Sequence, residues 1–225
     1  TEFHARIEAF LQGMQQSGWT TGRDVQVDIR WATTNASEIR KHAAELAALA
    51  PDVILAHGGS TVAPLLQATR TVPIVFPSAV DPVGAGFVES LARPGGNVTG
   101  FIASEYSLSG KWLELLKQIA PSVTRVAVLR DVTNPAGPSQ FGVVQALAPS
   151  LRVEVSPLNI RDAGEIERAI TGFARSSNGG LIVTASALTN DQRGLIIDVA
   201  ARQRLPTVYP YNFFVKGGGL ISYGA

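Results

Sequence analysis

Two hydrophobic periods take turns along this chain. Residues 4–17 place Ile7, Phe10, Leu11 and Met14 at helical spacing, and the run VQVDIRW at 25–31 then switches to period two. Its Val25, Val27, Ile29 and Trp31 share one side, which predicts a strand. NASEIRKHAAELAALA returns to the helical period, with Asn35 or Ser37 as N-cap and Pro51 as the stop. DVILAHGG predicts a short strand running into glycines, STVAPLLQATR a helix and VPIVFPSA another strand. GAGFVESLA predicts a further helix, RPGGNVTG a turn and VTGFIA a strand. The second half predicts helices at 107–120, 139–148, 162–175 and 190–204. The strands RVAVLRD, VEVSPLNI, GGLIVTAS and PTVYPY fall between and after them, and GLISYG comes last.

Short, continuously apolar strands separated by helices of about 10–15 residues indicate βαβ units, with parallel sheets buried on both faces. The two halves also resemble each other. SEIRKHAAELAALAPDVILAHGGS aligns with GEIERAITGFARSSNGGLIVTASA, setting Glu38 against Glu165 and Ile54 against Ile182, while Pro73 falls against Pro206. The fold class read from this pattern is α/β, two Rossmann-like open parallel-sheet lobes meeting near 101–106. The lobes are expected at 1–103 and 104–219, with 220–225 a strand returning toward the hinge. Such sheets begin with a strand and this chain begins with a helix, so the first strand and a C-terminal segment are expected to lie outside this sequence.

Composition narrows the chemistry. With 225 residues, 45 % hydrophobic and 16 % charged, the chain can bury a sizeable core. A net charge of +1 provides no global field toward nucleic acid, and no nucleic-acid partner is expected. No run reaches the ~18 apolar residues of a membrane span. The absence of cysteine removes disulfides, thiolate nucleophiles and cysteine-held zinc. No metal or other cofactor is called for. GAGFVE lacks the third glycine of a dinucleotide fingerprint, SGKW lacks the rest of a phosphate loop, and no nucleophile elbow or HExxH is present.

Ligands of open parallel sheets bind beyond the carboxyl ends of the strands. The loops there are HGGST (57–61), PSAVDP (77–82), RDVTNPAG (130–137), TASALTN (184–190) and YPYNF (209–213). In the first, Gly58 and Gly59 permit close backbone approach. Ser60 and Thr61 open a helix whose N–H groups favour an anion, or simply cap it. His57 beside them reads as a loop polar group, a ligand contact or a general base. Ser78, Asp81, Asp131, Asn134 and Ser186 add hydroxyl, amide and carboxylate groups, the carboxylates single rather than paired. Tyr209 and Tyr211 are expected to wall the cleft, whereas Phe213, Phe214, Trp19, Trp31 and Trp112 are expected in packing positions.

The blocks VPIVFPSAVDPVGAGFVESLARPGGNVTGF, GKWLELLKQIAPSVTRVAVL and GGLIV resemble the periplasmic substrate-binding proteins of ABC transporters. The likeness is greatest to the branch that includes tryptophan- and other aromatic-amino-acid-binding members, and it extends over nearly the whole chain. It implies the type I periplasmic-binding fold, a small-molecule ligand held between the lobes, delivery to an ABC permease in the membrane, a periplasmic location and a monomer. It also implies that HGGST holds a ligand carboxylate, with PSAVDP beside it and RDVTNPAG and TASALTN facing it. The last loop departs from amino-acid-binding relatives, which place an acid or amide there. Here it offers Thr184, Ser186 and Thr189, so a carboxylic acid without an amine is as admissible as an amino acid. The reading is a non-enzymatic solute-binding component. Its rivals are a ligand sensor of the same fold and an α/β enzyme acting on a small acid.

Overall fold

Among the described residues, parallel pairing sorts the strands of this protein into two sheets. The computed structural model describes residues 2–32 and 35–224. The chain divides into two units, Thr1–Trp31 and Ala32–Ala225.

In the first unit, α1 (Glu2–Gln16) stops where the Trp19 N–H bonds the Met14 carbonyl at 2.9 Å. The Asp24 carboxylate then closes a loop, accepting from the Thr20 N–H at 3.0 Å and from Arg23 Nη2 at 2.8 Å. The strand expected at 25–31 does not form. Among the described residues its one ladder contact is an isolated bridge between Thr21 and Val25. The sequence carries the alternation of a strand, but a strand also needs a neighbour for its N–H and C=O groups. Trp19 and Trp31 are about half exposed, not packed as expected, and Trp31 stacks on His4 with centroids 4.7 Å apart.

The second unit opens with α2 (Ala36–Ala48), capped by Asn35 Oδ1, which accepts from the Ser37 N–H at 2.9 Å. β1 (Ile54–Leu55), α3 (Gly59–Ala68), β2 (Ile74–Val80) and β3 (Val98–Ser104) follow, and the three strands pair in the order β1-β2-β3. Ile54, Ile74, Phe76 and Val98 are buried there with Val62 and Leu65 of α3. The helix expected at GAGFVESLA is a single turn instead. Phe87 N–H reaches the Pro82 carbonyl, and Gly86 then takes φ +73°, which ends helical propagation at no steric cost. Phe87 and Val88 turn inward as anchors of the same core.

The second sheet is built from β4 (Arg125–Asp131), β5 (Glu154–Ile160), β6 (Gly179–Val183), β7 (Thr207–Tyr209) and β8 (Ile221–Ser222), in the order β5-β4-β6-β7-β8. Its helices are α4 (Leu108–Ile119), α5 (Ala136–Leu147), α6 (Ala163–Ala174), α7 (Ala187–Asp191), α8 (Arg193–Arg202) and α9 (Asn212–Lys216). Central β4 is covered on both faces, so it reads as an unbroken apolar run. Val126 and Val128 pack with Trp112 and Leu116, while Ala127 and Leu129 pack with Ile166 and Ile170. Each such aliphatic side chain contributes about 1.5–3 kcal/mol by leaving water. The helix expected at 190–204 is split at Gln192 into α7 and α8, and α9 was not anticipated.

The internal likeness is present in the backbone. Ile54 N–H bonds the Pro73 carbonyl at 2.8 Å, and Leu181 N–H bonds the Pro206 carbonyl at 2.8 Å. The two halves therefore place equivalent strand pairs at β1–β2 and β6–β7. The equivalence sets Ile54 against Leu181, one residue from the match at Ile182 read from sequence. Among the described residues no helix is long and apolar enough to cross a membrane.

Candidate ligand cleft

The glycines of HGGST let the first sheet's loops close up. Gly58 takes φ +85° and donates its N–H to the Ser78 carbonyl at 3.3 Å, tying this loop to β2. α3 starts at Gly59, leaving the Gly59 and Ser60 N–H groups at the open end of the helix. Thr61 Oγ1 lies 2.9 and 3.0 Å from the Gly58 and His57 carbonyls, so this hydroxyl serves its own turn. His57, Ser60 and Ser78 are half-buried.

PSAVDP is strand for most of its length, since β2 runs to Val80 and the turn begins at Asp81. Asp81 takes φ +41°, a region that aspartate tolerates better than most residues. Its Oδ1 accepts from the Gly84 N–H at 2.7 Å, its Oδ2 accepts from the Tyr106 N–H at 3.3 Å, and its own N–H reaches the Ser104 carbonyl at 2.8 Å. The carboxylate thus fastens the end of β2 to the segment that leaves β3. Burial pushes the Tyr106 phenol above its ordinary range; the Ser139 hydroxyl beside it opposes the shift and the Asp81 charge adds to it.

In the second sheet, Asp131 is buried and its Oδ1 accepts from the Thr133 N–H and hydroxyl at 2.8 and 2.6 Å. Asn134 joins two loops, donating from Nδ2 to the Ala185 carbonyl at 2.9 Å and accepting the Ala136 N–H on Oδ1 at 3.1 Å. Ser186 is the N-cap of α7, in a capping box with Thr189. Thr184 Oγ1 donates to the Leu129 carbonyl at 3.0 Å. The hydroxyls of TASALTN are taken up by the fold.

The two sets of loops meet. A Cβ placed on Gly59 would lie 3.5 Å from the Phe87 ring and 3.8 Å from Asn134 Oδ1, so the first helix turn after β1 faces the loop after β4. Nearby, Ser104, Trp112, Gln140, Ala185 and Tyr211 border a cavity of about 10 Å³, room for about one water molecule. Nothing in the sequence marks Phe87 or Gln140 for the site, and Trp112 is expected from it in packing alone. Trp112 does both: it is buried and also lines the cavity.

Tyr209 does not wall the cleft. It is 2 % exposed in the second sheet's core, stacked on Phe214 at 5.1 Å because α9 folds back over β7. Tyr211, two residues on, lines the cavity and stacks on Phe213 at 5.2 Å. Burial pushes the Tyr209 phenol up to about 12, partly offset by the Thr207 hydroxyl beside it. The folded state thus keeps its proton above the unfolded value of about 10. This contribution to stability is complete below pH ~10 and is lost as pH rises toward ~12. Tyr209→Phe is expected to flatten the fall in stability over that window, as read from denaturant titrations at stepped pH.

The family model for ABC transporter substrate binding proteins matches residues 3–225, and the chain belongs to that family. It is 25 % identical over 217 residues to the tyrosine-binding protein of Clostridioides difficile strain R20291, a match covering 96 % of this chain and 62 % of that protein's length. Among solved structures, it is similar to the ABC domain in complex with L-Trp from Streptococcus pneumonia. The TM-score there is 0.82 at 22 % identity, over 94 % of this chain and 70 % of the other. It also superposes on a conserved domain protein of Vibrio cholerae O1 biovar El Tor with TM-score 0.84 at 24 % identity, over 94 % and 71 %. The fold is the type I periplasmic-binding fold.

Proposed function

We propose that this protein is the solute-binding component of an ABC import system, capturing a small carboxylate-bearing organic ligand of aromatic or amino-acid character. The lobes 1–103 and 104–219 close on the ligand, with 220–225 returning toward the hinge. The protein works by capture and release, without turnover, as a periplasmic monomer that hands its ligand to a membrane permease. The observation that carries this reading is the approach of Gly59 to Asn134, which puts the loop ends of two separate parallel sheets against one another beside Trp112 and Tyr211. Closure of that kind is a population shift driven by contacts that the ligand makes with both lobes. The open end of α3 at Gly59 and Ser60 suits a carboxylate, and the aromatic walls suit a ring. The names of the tyrosine-binding relative and the L-Trp complex support the same ligand class.

Thermal unfolding against a panel of aromatic amino acids, aromatic acids and aliphatic acids tests this reading. A ligand at a hundredfold excess over its Kd stabilises the protein by about 2.7 kcal/mol. Aromatic carboxylates are expected to raise Tm and aliphatic acids to leave it unchanged. No shift with any aromatic carboxylate refutes the proposal.

A further inference from the structure

Gln140 stands out among the cavity's borders. It sits on α5, is 1 % exposed, and its Oε1 has no hydrogen-bond partner among the described residues. Its backbone is held in place, because Ser109 Oγ of α4 bridges the Tyr106 and Gln140 carbonyls. The unpaired acceptor thus stands on a fixed root, on a residue that borders the same small cavity as Trp112 and Tyr211. Buried acceptors are rarely left unpaired, and one that persists calls for a partner or a role. Most polar groups of these loops are already engaged: Asn134 with Ala185 and Ala136, Thr184 with Leu129, Ser186 with Thr189, and Asp81 with Gly84 and Tyr106. The buried Tyr106 hydroxyl, a donor as well as an acceptor, shares with Gln140 the lack of a partner among the described residues.

We propose that Gln140 is a specificity-determining residue that accepts a hydrogen bond from a neutral donor on the ligand's ring, a phenolic hydroxyl or a ring N–H. This rests on the reading of the cleft as an aromatic-carboxylate site. A carboxamide suits a neutral donor. An ammonium stripped of water would need a carboxylate, and Asp81 and Asp131 direct theirs to backbone N–H groups and a hydroxyl. The cavity beside Gln140 has room for the donor group itself and not for the ring, which packs against the apolar surfaces at its mouth when the loops part to admit it. The site thus discriminates between a hydroxylated ring and its plain phenyl counterpart. Such a site rejects the analogue lacking the donor because its own buried polar atom is then left bare.

Two ligand pairs measured by calorimetry test this: tyrosine against phenylalanine, and 3-(4-hydroxyphenyl)propionate against 3-phenylpropionate. Each pair differs by a single ring hydroxyl. The natural protein is expected to prefer the hydroxylated member of each pair that binds by about 10- to 100-fold. Gln140→Met keeps the length and removes the acceptor, and is expected to bring the preference below about threefold. The same change relieves an unpaired buried atom, so its Tm is expected to equal or exceed that of the natural protein. Gln140→Glu retains an acceptor and is expected to retain the preference. If the natural protein binds both members of a pair equally, or Gln140→Met keeps the preference, the inference fails while the function reading stands. If Gln140→Met lowers Tm, the amide is structural and the inference also fails. If none of the four compounds binds, the inference fails, and the function reading falls with it only when no other aromatic carboxylate of the panel binds.

Discussion

Trp112→Ala is expected to remove about 3–5 kcal/mol of stability, the usual cost of truncating a buried aromatic side chain to alanine. For a chain of this size that is a fall in Tm of roughly 6–20 °C. The residue is 2 % exposed and packs with Leu116, Val126, Val128, Ile182 and Val208, on the face of the second sheet that α4 and α5 cover. Its Nε1–H also donates to the Tyr223 carbonyl at 2.7 Å, securing the chain just beyond β8. Trp112→Phe separates these contributions. It keeps most of the apolar volume and gives up the hydrogen bond to the Tyr223 carbonyl, which lies on an exposed residue, at a cost of about 0.5–1.5 kcal/mol. Because Trp112 also lines the cavity, the phenylalanine variant is expected to fold and to bind differently. A Trp112→Ala protein melting within 2 °C of the natural one, taken as roughly half a kcal/mol, contradicts this account of the core.

The second large effect is expected at Gly59, and on binding, with little change in stability. A Cβ there meets Phe87 and Asn134 at ordinary van der Waals distance, so Gly59→Ala is expected to be nearly silent. Gly59→Phe carries a ring into the space that Asn134 occupies and holds the two sheets' loops apart. Apparent affinity falls in proportion to the fraction of molecules able to close, so a closed population of about 1 % raises the apparent Kd about 100-fold. Calorimetry across Gly59→Ala, Gly59→Leu and Gly59→Phe is expected to show a graded loss, with Tm moving by only a few degrees. Equal affinity across the series places the ligand elsewhere.

The parts of the fold that could be read from sequence are those where local pattern and tertiary environment agree. RVAVLRD is apolar on both sides because β4 is buried on both faces, and it was read over the residues that form it. Helices α4 and α6 have a clear apolar stripe, and the Asp162 cap of α6 sits where the pattern begins. The failures are places where something outside the local window decides. VQVDIRW has the period of a strand without a partner among the described residues. GAGFVESLA has helical spacing, but Gly86 at positive φ redirects the chain after one turn.

The loops of the candidate site were legible because glycine, asparagine and aspartate at strand ends mark turns wherever they occur. The use each side chain is put to was not. Asp131 and Ser186 look like ligand groups in sequence and act as turn and cap in the fold. Tyr209 and Tyr211 have similar local sequence, and only the return of α9 onto β7 sends one to the core and the other to the cavity. Gln140 lies in AGPSQFGVVQAL, where a glutamine reads as solvent-facing; its burial comes from α4 packing across it.

The proposed closure of two lobes on a ligand can be followed directly, because the chain contains no cysteine and introduced ones label uniquely. Gln67 on α3 and Gln145 on α5 are exposed and belong to the two opposing sheets' layers. Spin labels at Gln67→Cys and Gln145→Cys, measured by pulsed electron resonance with and without a saturating aromatic carboxylate, report the separation. A broad distribution that collapses to a single shorter distance is expected when ligand binds. Ligand bound at full occupancy with the distribution unchanged contradicts the proposed closure.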